Sequence, residues 1–377
     1  MIPNEVIIDL GRLRRNLFEI KRLAGPHTRI LAIVKSDAYG HGMLPVARTL
    51  ESAGIDYLGV FELEEGLELR KAGHKLPILI MMGVQSDEVP AAVESEVTPA
   101  LFQLEIAREL SRISSEQDKV TPVQIKVDTG MTRLGVCPED LQGFLRQILS
   151  LKGIQLEGIF SHLAVADQQE HPFTDKQIRI FQEAVEQYRR FVGHRGVVHV
   201  ANSGALWGNR GLDFGMARPG ILLYGSPPAQ EWTAAASFEP VMSFRSKVIQ
   251  IRTVPPGTYV SYGCTYMTEK RSTIATIPVG YDDGYSRLLS NNGDVLIHGR
   301  RVPVAGRVCM NLTMVDVTGV EGVAVGDEVV LLGSQGKERI TAEEIAARIG
   351  TINYEVCCTI GKSNRRVYVD SEGIFSE

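Results

Sequence analysis

The stretch ILAIVKSDAYGHG, residues 30 to 42, joins an apolar run to a lysine and then to small, polar and glycine residues. Its first five residues predict a short buried strand. Lys35 lies where that strand ends, a position at which most lysines are simply solvated. Taken alone, Lys35 is therefore a weak functional signal, and what the fold gathers around it decides its role.

The same pattern, a short apolar run followed by an amphipathic stretch, repeats up to about residue 225. Eight runs predict strands: ILAIV (30–34), YLGVF (57–61), ILIMM (78–82), VTPALF (97–102), VQIKV (123–127), LEGIF (156–160), VVHVA (197–201) and ARPGILLYG (217–225). Two of the stretches between them have clear helical signals, namely ELEEGLELRKAG, which ends in Gly73, and DKQIRIFQEAVEQYRRF, with Ile178, Phe181, Val185 and Tyr188 on one face. Eight such units favour a closed (β/α)8 barrel of the TIM type over an open doubly wound α/β sheet.

The sequence changes in character after PPAQEWTAAASFEP (227–240), which predicts a linker. Beyond it, runs such as RSTIATIPV, DVLIHG and DEVVLLG predict short strands separated by turns such as PPG and NNGD. TAEEIAARIG predicts a final helix, because Thr341 and Glu344 have the spacing of a capping box. We therefore predict a barrel over residues 1–237 and a mainly β domain over residues 238–377.

Composition argues against several classes of function. The net charge of −5 and the isoelectric point near 6.0 oppose a nucleic-acid partner. MIPNEVIIDLGRLRRNL lacks the features of a secretory signal, and the longest apolar runs are too short to span a bilayer. Five unpatterned cysteines predict reduced thiols in a cytoplasmic protein, and eight scattered histidines predict no metal site.

In a barrel of this type the active site lies at the C-terminal ends of the strands. The polar residues at those ends are Lys35, Lys126, Asp128, Arg133, His162, Asn202, Ser203 and Arg218. Individual residues have structural alternatives, such as a salt bridge between Lys126 and Asp128 or a satisfied half-buried histidine at position 162. Together they form a cluster rich in cations, and a lysine in such a cluster has a lowered pKa and more of the free amine that forms a Schiff base.

Two loops at the same end suggest a phosphate site. They follow strands seven and eight, where barrels commonly bind phosphate, and carry the sequences ANSGA and RPGIL. The glycines and the serine allow backbone N–H groups and a hydroxyl to approach an anion. A phosphate and an amine-reactive carbonyl in one pocket suggest pyridoxal 5'-phosphate as the cofactor.

A family resemblance extends over nearly the whole chain. AIVKSDAYGHG, KVDTGMTRLG, FSHLA, ANSGA, ARPGI, SYGCTY, PVGYDDGY, GRVCMN and INYEV resemble, in this order, the motifs of bacterial alanine racemases, which are fold III pyridoxal-phosphate enzymes. The first motif together with SYGCTY is the most specific part. The resemblance implies a homodimer that interconverts the L and D forms of a small amino acid, alanine, and supplies D-alanine for peptidoglycan, without a nucleic-acid or membrane partner.

The resemblance also implies roles for individual residues. Lys35 would hold the cofactor covalently and serve one face of the substrate α-carbon, while Tyr262 of the second subunit would serve the other face. The implied cofactor-binding residues are Lys35, Tyr39, His162, Asn202, Ser203, Arg218, Gly220, Ile221 and Tyr354, with Arg218 at the pyridine nitrogen. Arg133 and the backbone N–H of Met310 would bind the substrate, supported by Lys126 (a carbamate in many members), Asn311 and Tyr281 at the substrate entrance.

One position departs from the family pattern and keeps alternatives open. The family usually has aspartate where this chain has Asn311, which makes a serine or broad-specificity racemase an alternative, although Tyr354 favours alanine. A fold III decarboxylase would carry an acidic residue in place of Arg218. A pyridoxal-phosphate-binding protein without turnover would be a barrel alone, and a non-enzymatic barrel with a β interaction domain would show no cofactor absorbance.

Overall fold

The computed structural model describes residues 4–168, 170–229 and 238–371. The elements up to residue 218 are β1 (Glu5–Asp9), α1 (Leu10–Ala24), β2 (Arg29–Ile33), α2 (Lys35–Tyr39), α3 (Met43–Ser52), β3 (Tyr57–Val60), α4 (Leu63–Lys71), β4 (Ile78–Ile80), α5 (Val89–Glu94), β5 (Thr98–Leu101), α6 (Leu104–Glu116), β6 (Thr121–Lys126), α7 (Leu141–Leu149), β7 (Ile154–Phe160), α8 (Pro172–Val192), β8 (Val197–His199), β9 (Ala201–Asn202), α9 (Ser203–Trp207) and β10 (Met216–Arg218).

Beyond residue 238 the chain is mainly β. Its elements are β11 (Met242–Lys247), β12 (Gln250–Val254), β13 (Tyr259–Val260), β14 (Tyr266–Met267), β15 (Ser272–Ile277), β16 (Asp294–Ile297), β17 (Arg300–Pro303), β18 (Thr313–Asp316), β19 (Glu328–Gln335), β20 (Glu338–Ile340), α10 (Ala342–Ile349), α11 (Asn353–Ser363) and β21 (Arg366–Val369). Three single turns of 3-10 helix occupy Tyr262–Cys264, Tyr281–Asp283 and Arg287–Leu289.

Strands β2 to β10 form one parallel sheet that closes on itself. Its order is β8-β7-β6-β5-β4-β3-β2-β10-β9, and the two end strands β8 and β9 are separated only by Val200, so the chain itself joins the ends. The predicted (β/α)8 barrel is confirmed, and the open doubly wound sheet is wrong. The ninth strand segment arises because the seventh predicted strand is interrupted at Val200.

The eighth predicted strand is too long. It was expected to continue to residue 225 but ends at Arg218. Pro219 has no N–H for a strand partner, and the Gly220 N–H donates to the Ser203 hydroxyl instead. The residues beyond form turns, with the N–H of Leu223 donating to the carbonyl of Gly220.

The helical faces follow the apolar spacing of the sequence. On α8, Phe181, Val185 and Tyr188 are fully buried, and Ile178 packs against the same core. The Thr341 hydroxyl accepts a hydrogen bond from the Glu344 N–H at 3.1 Å, which confirms the predicted cap of α10. That helix is not the final one, because α11 follows it and packs against α2 at the barrel mouth.

The largest sheet outside the barrel includes a strand from the beginning of the described chain. Its order is β17-β16-β19-β11-β1-β21, with β20 beside β19, so β1 lies between β11 (antiparallel) and β21 (parallel). No local pattern in the sequence predicts this pairing. The predicted boundary after residue 237 adjoins residues 230–237, which lie outside the described residues, and it stays a prediction. Among the described residues, no helix combines the length and apolarity needed to cross a membrane.

Candidate active site

Lys35 begins an unusual turn at the C-terminal end of β2. The four residues Ser36–Tyr39 all have φ between 53° and 55°, so they form one turn of left-handed helix. Non-glycine residues visit this region singly as a rule, because the Cβ approaches the next carbonyl oxygen at a cost of about 1–2 kcal/mol per residue. Strain of this kind persists only where neighbouring structure enforces it.

Three parts of the fold hold this left-handed turn. The Ser36 N–H donates to the Glu65 carboxylate on α4. The Asp37 carboxylate accepts from the Met43 N–H at 2.7 Å and pairs with the Arg366 guanidinium on β21. At Gly40 the turn meets α11, since a Cβ there would lie 2.5 Å from the carbonyl oxygen of Cys357.

The amine of Lys35 lies among other cations. Its pKa is lowered, first by burial and then by the Arg133 cation, while Glu65 opposes the shift. Lys126 has its pKa lowered to about 7, mainly by burial and then by Arg133, Arg218 and Lys35. The Lys126 Nζ donates to the Met81 carbonyl at 2.9 Å. Both lysines therefore have more free amine near neutral pH than solvated lysines do.

Arg218 is fixed in the barrel interior by a chain of hydrogen bonds. Its guanidinium donates to the Ser161 carbonyl at 2.6 Å and contacts His199 Nδ1 at 2.7 Å. Because arginine only donates, Nδ1 of His199 accepts, so its Nε2 carries the proton and donates to the Gln124 carbonyl oxygen at 2.7 Å. The Gln124 amide in turn donates to the Glu157 carboxylate at 3.2 Å.

The histidines beside Arg218 are neutral. Burial is the main cause that lowers the pKa of His162 and of His199 well below the ordinary value, and the Arg218 cation adds to it. His162 Nδ1 lies 3.4 Å from the Arg218 guanidinium. The site thus keeps its positive charge on lysine and arginine side chains and uses these imidazoles as neutral hydrogen-bonding groups.

A second group of residues forms a small polar cradle. The Ser203 hydroxyl accepts from the Gly220 N–H at 2.9 Å, and a Cβ at Gly220 would lie 2.6 Å from the Tyr39 hydroxyl oxygen. The Tyr354 ring lies beside the Tyr39 ring, with centroids 5.7 Å apart. Asn202 caps α9 by accepting from the Ala205 N–H, and it thereby fixes the start of the cradle. Ile221 is fully buried directly after Gly220.

The predicted residues that remain lie in the mainly β region, and two of them are strongly exposed. Tyr262 and Met310 belong to the mainly β region, where they are 71% and 54% exposed. Tyr262 follows Ser261, whose φ of 66° is strained for a serine, and the Ser261 hydroxyl donates to the Arg307 carbonyl at 2.6 Å. These side chains are presented on a surface, in contrast to Lys126 and Arg218 at the barrel mouth, which are buried.

The segment around Met310 is tied to the turn that contains Tyr281. The Tyr281 N–H donates to the Cys309 carbonyl at 3.1 Å, and the Asp282 N–H donates to the Met310 carbonyl at 3.0 Å. The Asn311 side-chain amide donates to the Asp282 carboxylate at 3.2 Å. Tyr281, Met310 and Asn311 therefore form one local unit.

The chemistry of the barrel mouth suits an anionic, amine-reactive ligand. Four cations converge there, namely Lys35, Lys126, Arg133 and Arg218, and each of the two lysines has its pKa lowered by at least one of the others. An anion would relieve their repulsion. The hydroxyls and glycine of the cradle lie at the same end of the barrel and provide room and donors for a phosphate.

Comparison with known proteins gives the family. The N-terminal domain of alanine racemases matches residues 8–228, and the C-terminal domain of the same family matches residues 241–368. The alanine racemase of Syntrophobacter fumaroxidans is 46% identical over 366 residues, which cover 96% of each chain. The chain belongs to the alanine racemase family.

Solved structures of alanine racemases support the same conclusion. The enzyme of Clostridium difficile 630 superposes with a TM-score of 0.92 at 36% identity, covering 100% of this chain and 98% of the other. The alanine racemase of Bartonella henselae, whose structure contains covalently bound pyridoxal phosphate, gives a TM-score of 0.88 at 29% identity over 98% of this chain and all of the other. The predicted family and enzyme class are confirmed.

Several residues that shape the barrel mouth are not predicted from the sequence. His199, Gln124 and Glu157 belong to the strands, whereas the predicted polar residues were those at strand ends. The alternation of VVHVA does place the histidine on one face of its strand, which was a usable signal. Arg366 lies 331 residues from Lys35, so nothing local connected the two.

Proposed function

We propose that this chain racemises alanine with pyridoxal 5'-phosphate as its cofactor, and that it does so as a homodimer with shared active sites. The observation that carries the proposal is the half-buried Lys35 amine, whose pKa is lowered among cations, beside a cradle suited to phosphate. Family membership and the cofactor bound in the Bartonella henselae enzyme support it.

The residues of the barrel mouth fit this cofactor. Lys35 offers a free amine to its aldehyde carbon, and Ser203, Gly220 and Tyr39 surround the proposed phosphate position, with Ile221 and Tyr354 beside them. When bound, the cofactor withdraws electrons from the substrate α-carbon and so acidifies the bond to hydrogen. We assign Arg218 to the ring nitrogen, where its guanidinium would donate an N–H and could not accept one.

Two groups on opposite faces would move the proton. Lys35 takes or returns a proton on one face, because its lowered pKa leaves part of its amine unprotonated. We assign the other face to Tyr262 of a second copy of the chain. His162, Asn202 and Arg218 would lie next to the bound cofactor, and neutral His162 would offer a hydrogen bond to the incoming tyrosine.

The exposed apolar residues of the β region support the homodimer. They include Tyr262, Tyr281, Leu288, Met310, Leu312 and Ile352, each at least 40% exposed. Where such residues form a contiguous patch, they commonly mark an interaction site. A second copy would cover them and bring the Met310 N–H to the substrate carboxylate, opposite Arg133.

Lys126 is suited to carbamate formation. With a pKa of about 7, much of its amine is unprotonated at neutral pH, which is the form that adds to carbon dioxide and releases one proton. The resulting anion would face the Arg133 cation and hold it for the substrate carboxylate. We also assign Tyr281 to the substrate entrance, as the family resemblance implies.

The substrate proposal puts alanine ahead of serine, and D-alanine would serve peptidoglycan synthesis. The five cysteines are free thiols, which supports a cytoplasmic location.

To test the reaction, the decay of the circular dichroism of L-alanine, and separately of L-serine, is followed after addition of the protein with pyridoxal phosphate. Fast decay with alanine and slow decay with serine is expected. Faster decay with serine would replace the substrate, and no decay with either would overturn the racemase proposal.

Shared sites are tested by complementation. Lys35→Ala and Tyr262→Phe proteins, each inactive, are mixed after mild dissociation and allowed to reassociate. Half of the dimers are then mixed, and each mixed dimer has one intact site out of two, so about a quarter of the wild-type activity should return. If both residues of a site came from the same chain, no mixed dimer would contain an intact site and activity would stay absent.

A further inference from the structure

The departure from the family pattern at Asn311 is accompanied by a specific contact. The Asn311 side-chain amide donates a hydrogen bond of 3.2 Å to the Asp282 carboxylate. Both side chains are exposed in the single chain. A carboxylate is thus present next to position 311, although residue 311 itself is uncharged.

The backbone keeps Asp282 in this place. Its N–H donates to the Met310 carbonyl at 3.0 Å, and Tyr281 binds the Cys309 carbonyl in the same way. At Gly280 the two segments touch, since a Cβ there would lie 2.2 Å from the carbonyl oxygens of Cys309 and Met310. Asp282 therefore moves with the segment that carries the Met310 N–H.

The neighbouring aspartate has a different task. The Asp283 carboxylate accepts from the Gly280 N–H at 2.9 Å and from the Asn4 side chain at 3.1 Å, so it closes the turn internally. Asp282 instead points to Asn311. Of the two adjacent carboxylates, Asp283 therefore holds the turn, and Asp282 contacts the segment that carries Met310.

We propose that Asp282 and Asn311 act as one positioning unit, in which Asp282 supplies the carboxylate that position 311 lacks and orients the Met310 N–H toward the substrate carboxylate. The inference rests on the proposed racemase function. An aspartate at 311 would face Asp282 across a hydrogen-bond distance, and two carboxylates so close repel each other. The asparagine avoids this repulsion, and positions 282 and 311 together carry one carboxylate in place of two.

The test is a double-mutant cycle. Asn311→Asp, Asp282→Asn and the exchange of both residues are compared with wild type by KM and kcat for L-alanine, and by calorimetric binding of propionate. Propionate has the carboxylate of alanine without its amine, so it reports the carboxylate site without turnover. Glu328→Gln is the control, because it alters an exposed amide–carboxylate hydrogen bond of the same 3.2 Å length, with Gln335, outside this unit.

Asn311→Asp should raise KM by ~10-fold and weaken propionate binding by ~10-fold, with a smaller change in kcat. The variant in which both residues are exchanged should recover KM and propionate binding to within ~3-fold of wild type. Glu328→Gln should change neither. Effects that simply multiply in the double variant, or that follow the melting temperature alone, would overturn the positioning unit. If the wild type does not racemise alanine, the proposed function fails and this inference fails with it. If the wild type is active and the cycle is multiplicative, only this inference fails.

Discussion

The two turns that carry the proposed acid–base residues differ in how much of their surroundings one chain provides. Lys35 lies in a partly buried left-handed turn held by α4, β21 and α11, and its pKa is already shifted within a single chain. Tyr262 lies in a surface turn and is 71% exposed. The comparison teaches that one chain, through its barrel together with α11 and β21, prepares one half of the proposed site by itself, while the other half depends on a surface that the same chain does not cover.

Both turns nevertheless share backbone strain. Ser36–Tyr39 and Ser261 all have positive φ without being glycine. Such residues concentrate at functional positions, where the surrounding structure fixes a direction that a relaxed backbone would not give. In both turns the strained backbone directs a side chain, Lys35 in one and Tyr262 in the other. The two turns differ in how much of that side chain is exposed.

The largest effect on activity is expected from removing Lys35, the acid–base residue whose surroundings one chain provides. Lys35→Ala should lower racemase activity by ~1000-fold or more, because the residue supplies both the covalent anchor and one base. The absorbance band of the anchored cofactor should disappear as well. Lys152→Ala, at an exposed position, is the control and should retain both. Racemisation retained by Lys35→Ala would remove that residue from the mechanism.

Removing the hydroxyl of the exposed Tyr262 should leave the cofactor in place. Tyr262→Phe should lower racemisation by ~100-fold or more while keeping the absorbance band, since only one base is lost. Deuterium uptake from solvent should become unequal for L- and D-alanine, because exchange continues on the face of Lys35. Tyr259→Phe, which is 60% exposed three residues earlier, is the matched control. Equal uptake from both enantiomers would contradict the assignment.

The support of the left-handed turn can be weakened separately. Arg366→Ala removes the ion pair with Asp37 and should lower kcat by ~10-fold, because a displacement of ~1 Å at a reacting group costs up to ~100-fold. Arg366→Lys should recover part of the loss, and the exposed Arg365→Ala should have little effect. A fall in melting temperature with unchanged kcat would mean that the pair stabilises the fold without positioning Lys35.

The smallest effect concerns the charge of Lys126. Its pKa of about 7 in the folded protein lies below the ordinary value of 10.5. Between about pH 7 and pH 10.5 the unfolded state therefore binds more protons than the folded state does. The free energy of unfolding consequently rises with pH over this range. Lys126→Met should flatten this rise and increase the melting temperature near pH 6.5 by ~2 °C. The measurement is thermal unfolding in buffer free of carbon dioxide, with Lys152→Met as control. Equal slopes for wild type and Lys126→Met would contradict the shift.

Local patterns were sufficient for the barrel because its strands and helices repeat in sequence order. Eight apolar runs, and the rule that chemistry lies at the C-terminal ends of the strands, were enough to place Lys35, Lys126 and Arg218 together. The cradle of Ser203 and Gly220 followed from two short loops. Resemblance to known racemases added Tyr262 and Met310, whose roles no local pattern indicates.

What escaped prediction depends on pairings between distant parts of the chain. EVIID (5–9) has the composition of a strand, but its neighbours come from residues 242–247 and 366–369. The link from Arg218 through His199 and Gln124 requires the register of the barrel strands. The sequence of helix α11, which brings Tyr354 to Tyr39, has only a weak amphipathic pattern. The helix is therefore identified from its contacts in the structure and not from its sequence.

The position of β1 has a consequence for the order of events during biosynthesis. It is made before every other described element, yet it lies between β11 and β21, and β21 is made after all of them. Its backbone groups on that side have no strand partner until translation has passed residue 369, well after the barrel strands have emerged. Contacts so far apart in sequence form slowly. The larger sheet, and with it the Arg366 support of the Lys35 turn, therefore matures late, so a nascent chain arrested before β21 would carry a complete set of barrel strands with an incompletely supported lysine.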